Sequence, residues 1–182
     1  LWTDLHEVSD SWCFAVFAEQ YPDQDDDSGR NLEFIGLTCQ QILYETDRPH
    51  HVGTDHIGSD AAETEALLWS ALWRLAQNHR LPTTFVTDSL LVGGQASGTL
   101  GTSSPSTPFG HLRAAFQALE AILPEDHLRV SHTRSHAGEP YNELVDHFAK
   151  LEGRDSQYLP RQQINMPTFG RILRVLWMML AQ

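Results

Sequence analysis

Hydrophobic residues fall first in short continuous runs and later at helical spacing. Residues 1–4 end one strand-like run. Residues 11–18, Ser-Trp-Cys-Phe-Ala-Val-Phe-Ala, form a second that is continuous enough to be buried on both faces, and residues 32–39 form a third. Turn chemistry over residues 23–29, Asp-Gln-Asp-Asp-Asp-Ser-Gly, separates the last two, so the simplest expectation is an antiparallel meander. After a polar stretch, Leu67, Leu68, Ala71, Leu72 and Leu75 keep the three-and-four spacing of a helix that packs one face on a core.

Residues 83–87 read as a buried strand ending at Asp88, and residues 89–93 as a brief helical turn. Residues 94–108, GQASGTLGTSSPSTP, read as a flexible connector, and they lack the Gly-Lys-Ser/Thr ending of a phosphate-cradling loop. Residues 109–122 make a second amphipathic helix closed by Pro124, and Leu128, Val130 and His132 alternate in a final strand. Pro140 suits the first turn of another helix, with Leu144, Val145, Phe148 and Leu151 as its expected buried face. Strands joined by helices need crossover connections, so the order implies an α/β protein whose mixed sheet carries helices on its faces. The domain is expected to end near residue 152. Residues 153–182 add a polar linker and an amphipathic segment, Phe169, Ile172, Leu173, Leu176, Met179 and Leu180, expected to pack on the domain.

Length and charge narrow the picture. The 182 residues suffice for one domain that buries roughly 70% of its unfolded surface. With 24 acidic against 12 basic residues the net charge is −12, an average field that repels a nucleic-acid backbone. Binding of a polynucleotide must then be local, bridged by cations, or lent by a partner. Cys13 and Cys39 lie in apolar strand-like runs, which favours free thiols in a reducing compartment over the alternative of a single cross-strand disulfide. The longest apolar stretch, residues 172–181, is interrupted by Arg174 and is too short to span a bilayer, so the expectation is an intracellular protein of cytoplasm or nucleus without a membrane partner. The chain opens on Leu1, as expected of a piece excised from a longer polypeptide.

Four carboxylates stand at the ends of elements: Asp4, Glu63, Asp88 and Asp146. Convergent carboxylates suit Mg²⁺, and a pair of such ions about 4 Å apart activates water and neutralises charge in phosphodiester hydrolysis. Each residue also has an ordinary role open to it. Glu63 stands four positions before Leu67, roughly 40° around the helix from a core residue, which turns it toward the sheet. Equally, Asp60 and Glu63 have the spacing of a capping pair. Asp88 could serve as a helix cap, Asp146 could be a solvated partner of Lys150, and His136 could be a plain loop histidine. His50, His51, Asp55 and His56 are weak zinc candidates, and Asp25 to Asp27 lack the spacing of a calcium loop.

The stretch His136-Ala137-Gly138, Pro140, Asn142-Glu143, Asp146 and Ala149 resembles the ribonuclease H family, and Ala62-Glu63-x-x-Ala66 and Thr87-Asp88-Ser89 agree with it. The resemblance covers about residues 1–152. It implies a ribonuclease H-like fold, a mixed five-stranded sheet flanked by helices, and hydrolysis of the RNA strand of an RNA/DNA hybrid. Asp4, Glu63, Asp88 and Asp146 would hold two Mg²⁺ ions, with Mn²⁺ as the alternative ion, and His136 would assist proton transfer. Arg134, Asn142 and Ser89 are the expected substrate contacts. A tethered reverse transcriptase domain in a retroelement polyprotein would supply hybrid affinity, since no Lys or Arg occurs between Arg80 and Arg113.

The chain also departs from the family. Asp4 is followed by Leu5-His6-Glu7 where relatives commonly carry Gly-Ser, which leaves Asp10 as a rival first ligand. A catalytically silent docking domain of the same fold is therefore the alternative reading, and another nuclease of that fold is a third.

Overall fold

The computed structural model describes residues 2–6, 11–20, 31–42, 59–77, 79–101, 104, 107–134 and 139–154. The fold is mixed α/β. Its elements run β1 (Trp2–His6), β2 (Ser11–Gln20), β3 (Asn31–Gln41), α1 (Ser59–Ala76), β4 (Thr83–Thr87), α2 (Leu90–Ser97), α3 (Pro108–Ile122), β5 (Leu128–His132) and α4 (Pro140–Arg154). The strands lie in the order β3-β2-β1-β4-β5. β1, β2 and β3 pair antiparallel, as the meander requires, whereas β4 lies parallel to both β1 and β5.

β2 is apolar from Trp12 to Ala18 because both of its faces are covered. Trp12, Phe14 and Val16 join the larger core with Leu67, Leu68 and Ala71 of α1, Val92 and Ala96 of α2, and Leu112, Phe116 and Leu119 of α3. Trp12 stacks on Trp69 with ring centroids 6.1 Å apart, and Phe85 of β4 meets Phe116 at 4.8 Å. The alternate residues Cys13 and Ala15 face Val145 and Ala149 of α4, with Phe17, Leu37 and Phe148 packed around them. Side chains alternate across a strand, so these two clusters lie on opposite faces of the sheet. A bulge interrupts β3: Val16 pairs with Gly36 and Phe17 with Phe34, leaving Ile35 as the extra residue.

Three expectations need correction. Cys13 and Cys39 are joined in a disulfide and are not free thiols. They are direct partners across β2 and β3 with Cα atoms 4.0 Å apart, a proximity that depends on strand register. The connector expected over residues 94–108 begins later, because α2 continues to Ser97 and closes on Gly98, whose φ of 73° is the left-handed conformation that ends helices. Finally, the buried face of α4 includes Asn142, Val145, Asp146 and Ala149, with Leu144 and Phe148 half-buried at its side.

α4 continues past residue 152 to Arg154. Residues 155–182, the acidic turn at 23–29, Asp10 and the histidines near residue 50 lie outside the described residues. Among the described residues no helix is long and apolar enough to cross a membrane.

Candidate active site

β4 ends beside the middle of β1, which runs on to His6, so Asp4 stands inside its strand and not at its end as expected. Their parallel register pairs Trp2 with Val86 and Thr3 with Thr87, so Asp4 and Asp88 follow one step further along adjacent strands. Neighbouring strands are about 4.8 Å apart, which brings the two backbones together at this point. Carboxyl ends of parallel strands at a change of connectivity are where open α/β sheets place their ligands.

The turn after β4 releases Asp88 from capping duty. Ser89 is the N-cap of α2, its Oγ accepting the Val92 N–H at 3.2 Å, so the Asp88 carboxylate is not the cap. The Ser89 N–H in turn donates to Thr87 Oγ1 at 3.2 Å. The β5 strand secures the same turn, with Thr133 N–H donating to Thr87 O at 3.0 Å and His132 Nε2 meeting Asp88 O at 3.0 Å.

Glu63 reaches this turn from α1. Burial raises its pKa from 4.5 to about 7; a hydrogen bond from the Ser89 side chain opposes that rise, and the nearby Asp88 and Asp60 charges add to it. Its Oε2 is buried without a hydrogen-bond partner. Of the two roles open to Glu63, the side chain takes the one directed to the sheet end, bonding Ser89 on the neighbouring segment.

Asp146 pairs with Lys150 one turn on as expected but is not solvated. It is 5% exposed, and its Oδ1 is buried without a hydrogen-bond partner. Two contacts fix its height on the sheet. Tyr141 packs edge-on against Phe17 at 4.6 Å, and Ser11 Oγ donates to Ala149 O at 2.9 Å. Asp146 lies on the stretch of α4 between these contacts, as Cys13 does on β2, and Cys13 is the register partner of Asp4.

Glu63, Asp88 and Ser89 are thus gathered directly, with Asp4 beside them in backbone register and Asp146 on the opposite helix layer. Among the described residues, no three His, Cys, Asp or Glu side chains form a group that could hold a metal ion. The Asp4 side chain and all of His136 lie outside those residues. The oxygen donors that are described, including the orphaned Glu63 Oε2 and Asp146 Oδ1, fit a hard divalent cation.

Arg134 is exposed just beyond β5. Asn142 is 1% exposed, and its backbone N–H donates to Glu139 Oε2 at 2.7 Å where α4 begins, so it is built into the helix start and not presented at the surface. His132 is the site residue that sequence reading passed over. Its one signal, a histidine closing a strand, gains meaning once the parallel register sets it against Thr87. Compared with protein-family models, curated proteins and solved structures, the chain finds no match.

Proposed function

We propose that this chain is a ribonuclease H-like nuclease domain that hydrolyses the RNA strand of an RNA/DNA hybrid with divalent cations. The observation that carries the reading is the convergence of Glu63, Asp88 and Ser89 where β4 ends beside Asp4. A buried carboxyl with a raised pKa next to a second carboxylate, at the carboxyl end of parallel strands, is an arrangement that a cation relieves. The strand order and the helices on both faces support the ribonuclease H-like fold.

Asp4, Glu63, Asp88 and Asp146 would hold the cations, Mg²⁺ or Mn²⁺. When bound, these ions supply charge neutralisation and an acidified water. Ser89 orients Glu63 by hydrogen bonding and, as N-cap, takes the capping role that was open to Asp88. Arg134, exposed beyond β5, offers a phosphate contact, and His136 a proton carrier. The net charge of −12 makes the isolated domain a weak binder of hybrid. Tethering to a reverse transcriptase domain within an intracellular retroelement polyprotein would supply the missing affinity.

A second reading, a silent docking domain of the same fold, is favoured by the Leu5-His6-Glu7 departure after Asp4. The two separate in one assay. An end-labelled RNA strand in a hybrid is followed at low salt with Mg²⁺, with Mn²⁺ and with chelator, for the parent and for Asp88→Asn. Metal-dependent cleavage that disappears in the variant supports the nuclease. No cleavage with either ion, both at high protein concentration and when the chain is fused to a hybrid-binding domain that supplies the affinity, supports the silent domain.

A further inference from the structure

We infer that His132 is a positioning residue that fixes the Asp88 peptide and thereby aims the Asp88 carboxylate at a divalent cation. The inference rests on the cation-binding reading above. Asp88 sits in a turn whose flanks are already held: Thr87 Oγ1 takes the Ser89 N–H, Thr87 O takes the Thr133 N–H, and Ser89 Oγ takes the Val92 N–H. None of these three bonds restrains the carbonyl of Asp88 itself. His132 Nε2 does, at 3.0 Å, from the adjacent strand.

A carbonyl oxygen accepts, so Nε2 must carry the hydrogen. The register explains how the ring reaches its target. His132 is the strand partner of Thr87, which leaves its side chain one residue short of Asp88 on the neighbouring strand. Rotation of the Asp88 peptide would swing the carboxylate away from Glu63, and the imidazole N–H opposes that rotation. Groups that orient a ligand in this way are worth about ten- to a hundredfold in metal affinity.

The test measures Mn²⁺ binding to the full chain by the electron-spin signal of the free ion, for the parent, His132→Ala, His132→Leu and His132→Gln. Glutamine retains an N–H donor, whereas alanine and leucine have none. Arg129→Ala, an exposed change on the same strand, is the control. The expected result is about a tenfold or greater loss of affinity in the alanine and leucine variants, recovery in the glutamine variant, and no change in the control. Leucine, closer to histidine in volume, carries the comparison if alanine unfolds the chain. Nitrogen NMR should find the neutral His132 ring protonated at Nε2.

Equal Mn²⁺ affinity in parent and leucine variant overturns the inference while leaving the cation site standing. A glutamine variant as weak as the leucine one, or a ring protonated at Nδ1, overturns it as well. A parent that binds no Mn²⁺ removes the cation reading and this inference with it.

Discussion

Ser89 and Glu63 share a hydrogen bond that ties the N-cap of α2 to the second turn of α1. The serine oxygen is occupied in accepting the Val92 N–H, so its own hydrogen is what reaches the carboxylate. One residue thus closes a helix and holds a buried acid beside Asp88.

That arrangement fixes the sign of a pH effect. The folded pKa of Glu63, about 7, lies above the unfolded value near 4.5, so the folded state binds the extra proton. Stability is therefore greatest below pH 4.5 with respect to this group and declines as pH rises toward and through 7, by about 3 kcal/mol at most. Urea unfolding in chelator at pH 5.5 and pH 8 should show the decline in the parent and a flatter profile in Glu63→Gln. The glutamine variant should be the more stable of the two at pH 8. Parallel profiles for the two proteins would show that Glu63 does not titrate this way.

The disulfide should matter for stability. Cys13 and Cys39 are 26 positions apart, and closing such a loop in the unfolded chain is worth about 3 kcal/mol on entropic grounds. Reduction, or Cys39→Ala, should lower the unfolding free energy by about that amount. Counting thiols in denaturant checks the premise, because two reactive thiols before reduction would mean that the bond is absent.

Arg74 offers a sharper structural test. Its guanidinium is 1% exposed and donates to Thr83 Oγ1 at 2.7 Å, Leu81 O at 3.0 Å and His79 O at 3.2 Å. A single side chain therefore satisfies the link from α1 to β4. Arg74→Met keeps the apolar stem but leaves these acceptors unmet, and it should cost about 3 kcal/mol in denaturant unfolding. Arg74→Lys, with one compact donor group, should recover part of that loss.

Particular residues explain what the sequence disclosed and what it hid. The strands were legible because β2 carries a continuous apolar run and β4 is built of β-branched and aromatic residues, and the sheetward turn of Glu63 followed from its angle to Leu67. α2 was only half legible: residues 89–93 read as a helical turn, and from Gly94 on the composition read as a connector. In the structure, a Cβ at Gly93 would meet Thr87 Cγ2 at 3.2 Å and Val130 Cγ1 at 3.5 Å, so glycine there lets the helix lie close against β4 and β5. The disulfide was only the alternative reading, because apolar runs reveal strands but not which residues lie opposite one another. Asp146 was open to a solvated role beside Lys150 and Asn142 read as a substrate contact, because polar residues at helical spacing usually face outward. Their burial follows from α4 lying against β2 with small Ala149 and Val145 at the contact.

Asp146 supplies the last prediction. A buried carboxylate oxygen without a partner is costly, and Lys150 engages the other oxygen of the same group. Asp146→Asn removes that charge, so in chelator the variant should be at least as stable as the parent. A cation that binds the folded state stabilises it by mass action, by about 2.7 kcal/mol at a hundred times its dissociation constant. Mg²⁺ should therefore raise the thermal midpoint of the parent, raise that of Asp146→Asn less, and leave Asp88→Asn nearly unmoved. The gradation follows from position, since Asp88 stands at the strand end with Glu63 and Ser89 while Asp146 approaches from the opposite helix layer. Equal Mg²⁺ shifts in all three proteins would place the bound ion elsewhere on this acidic chain.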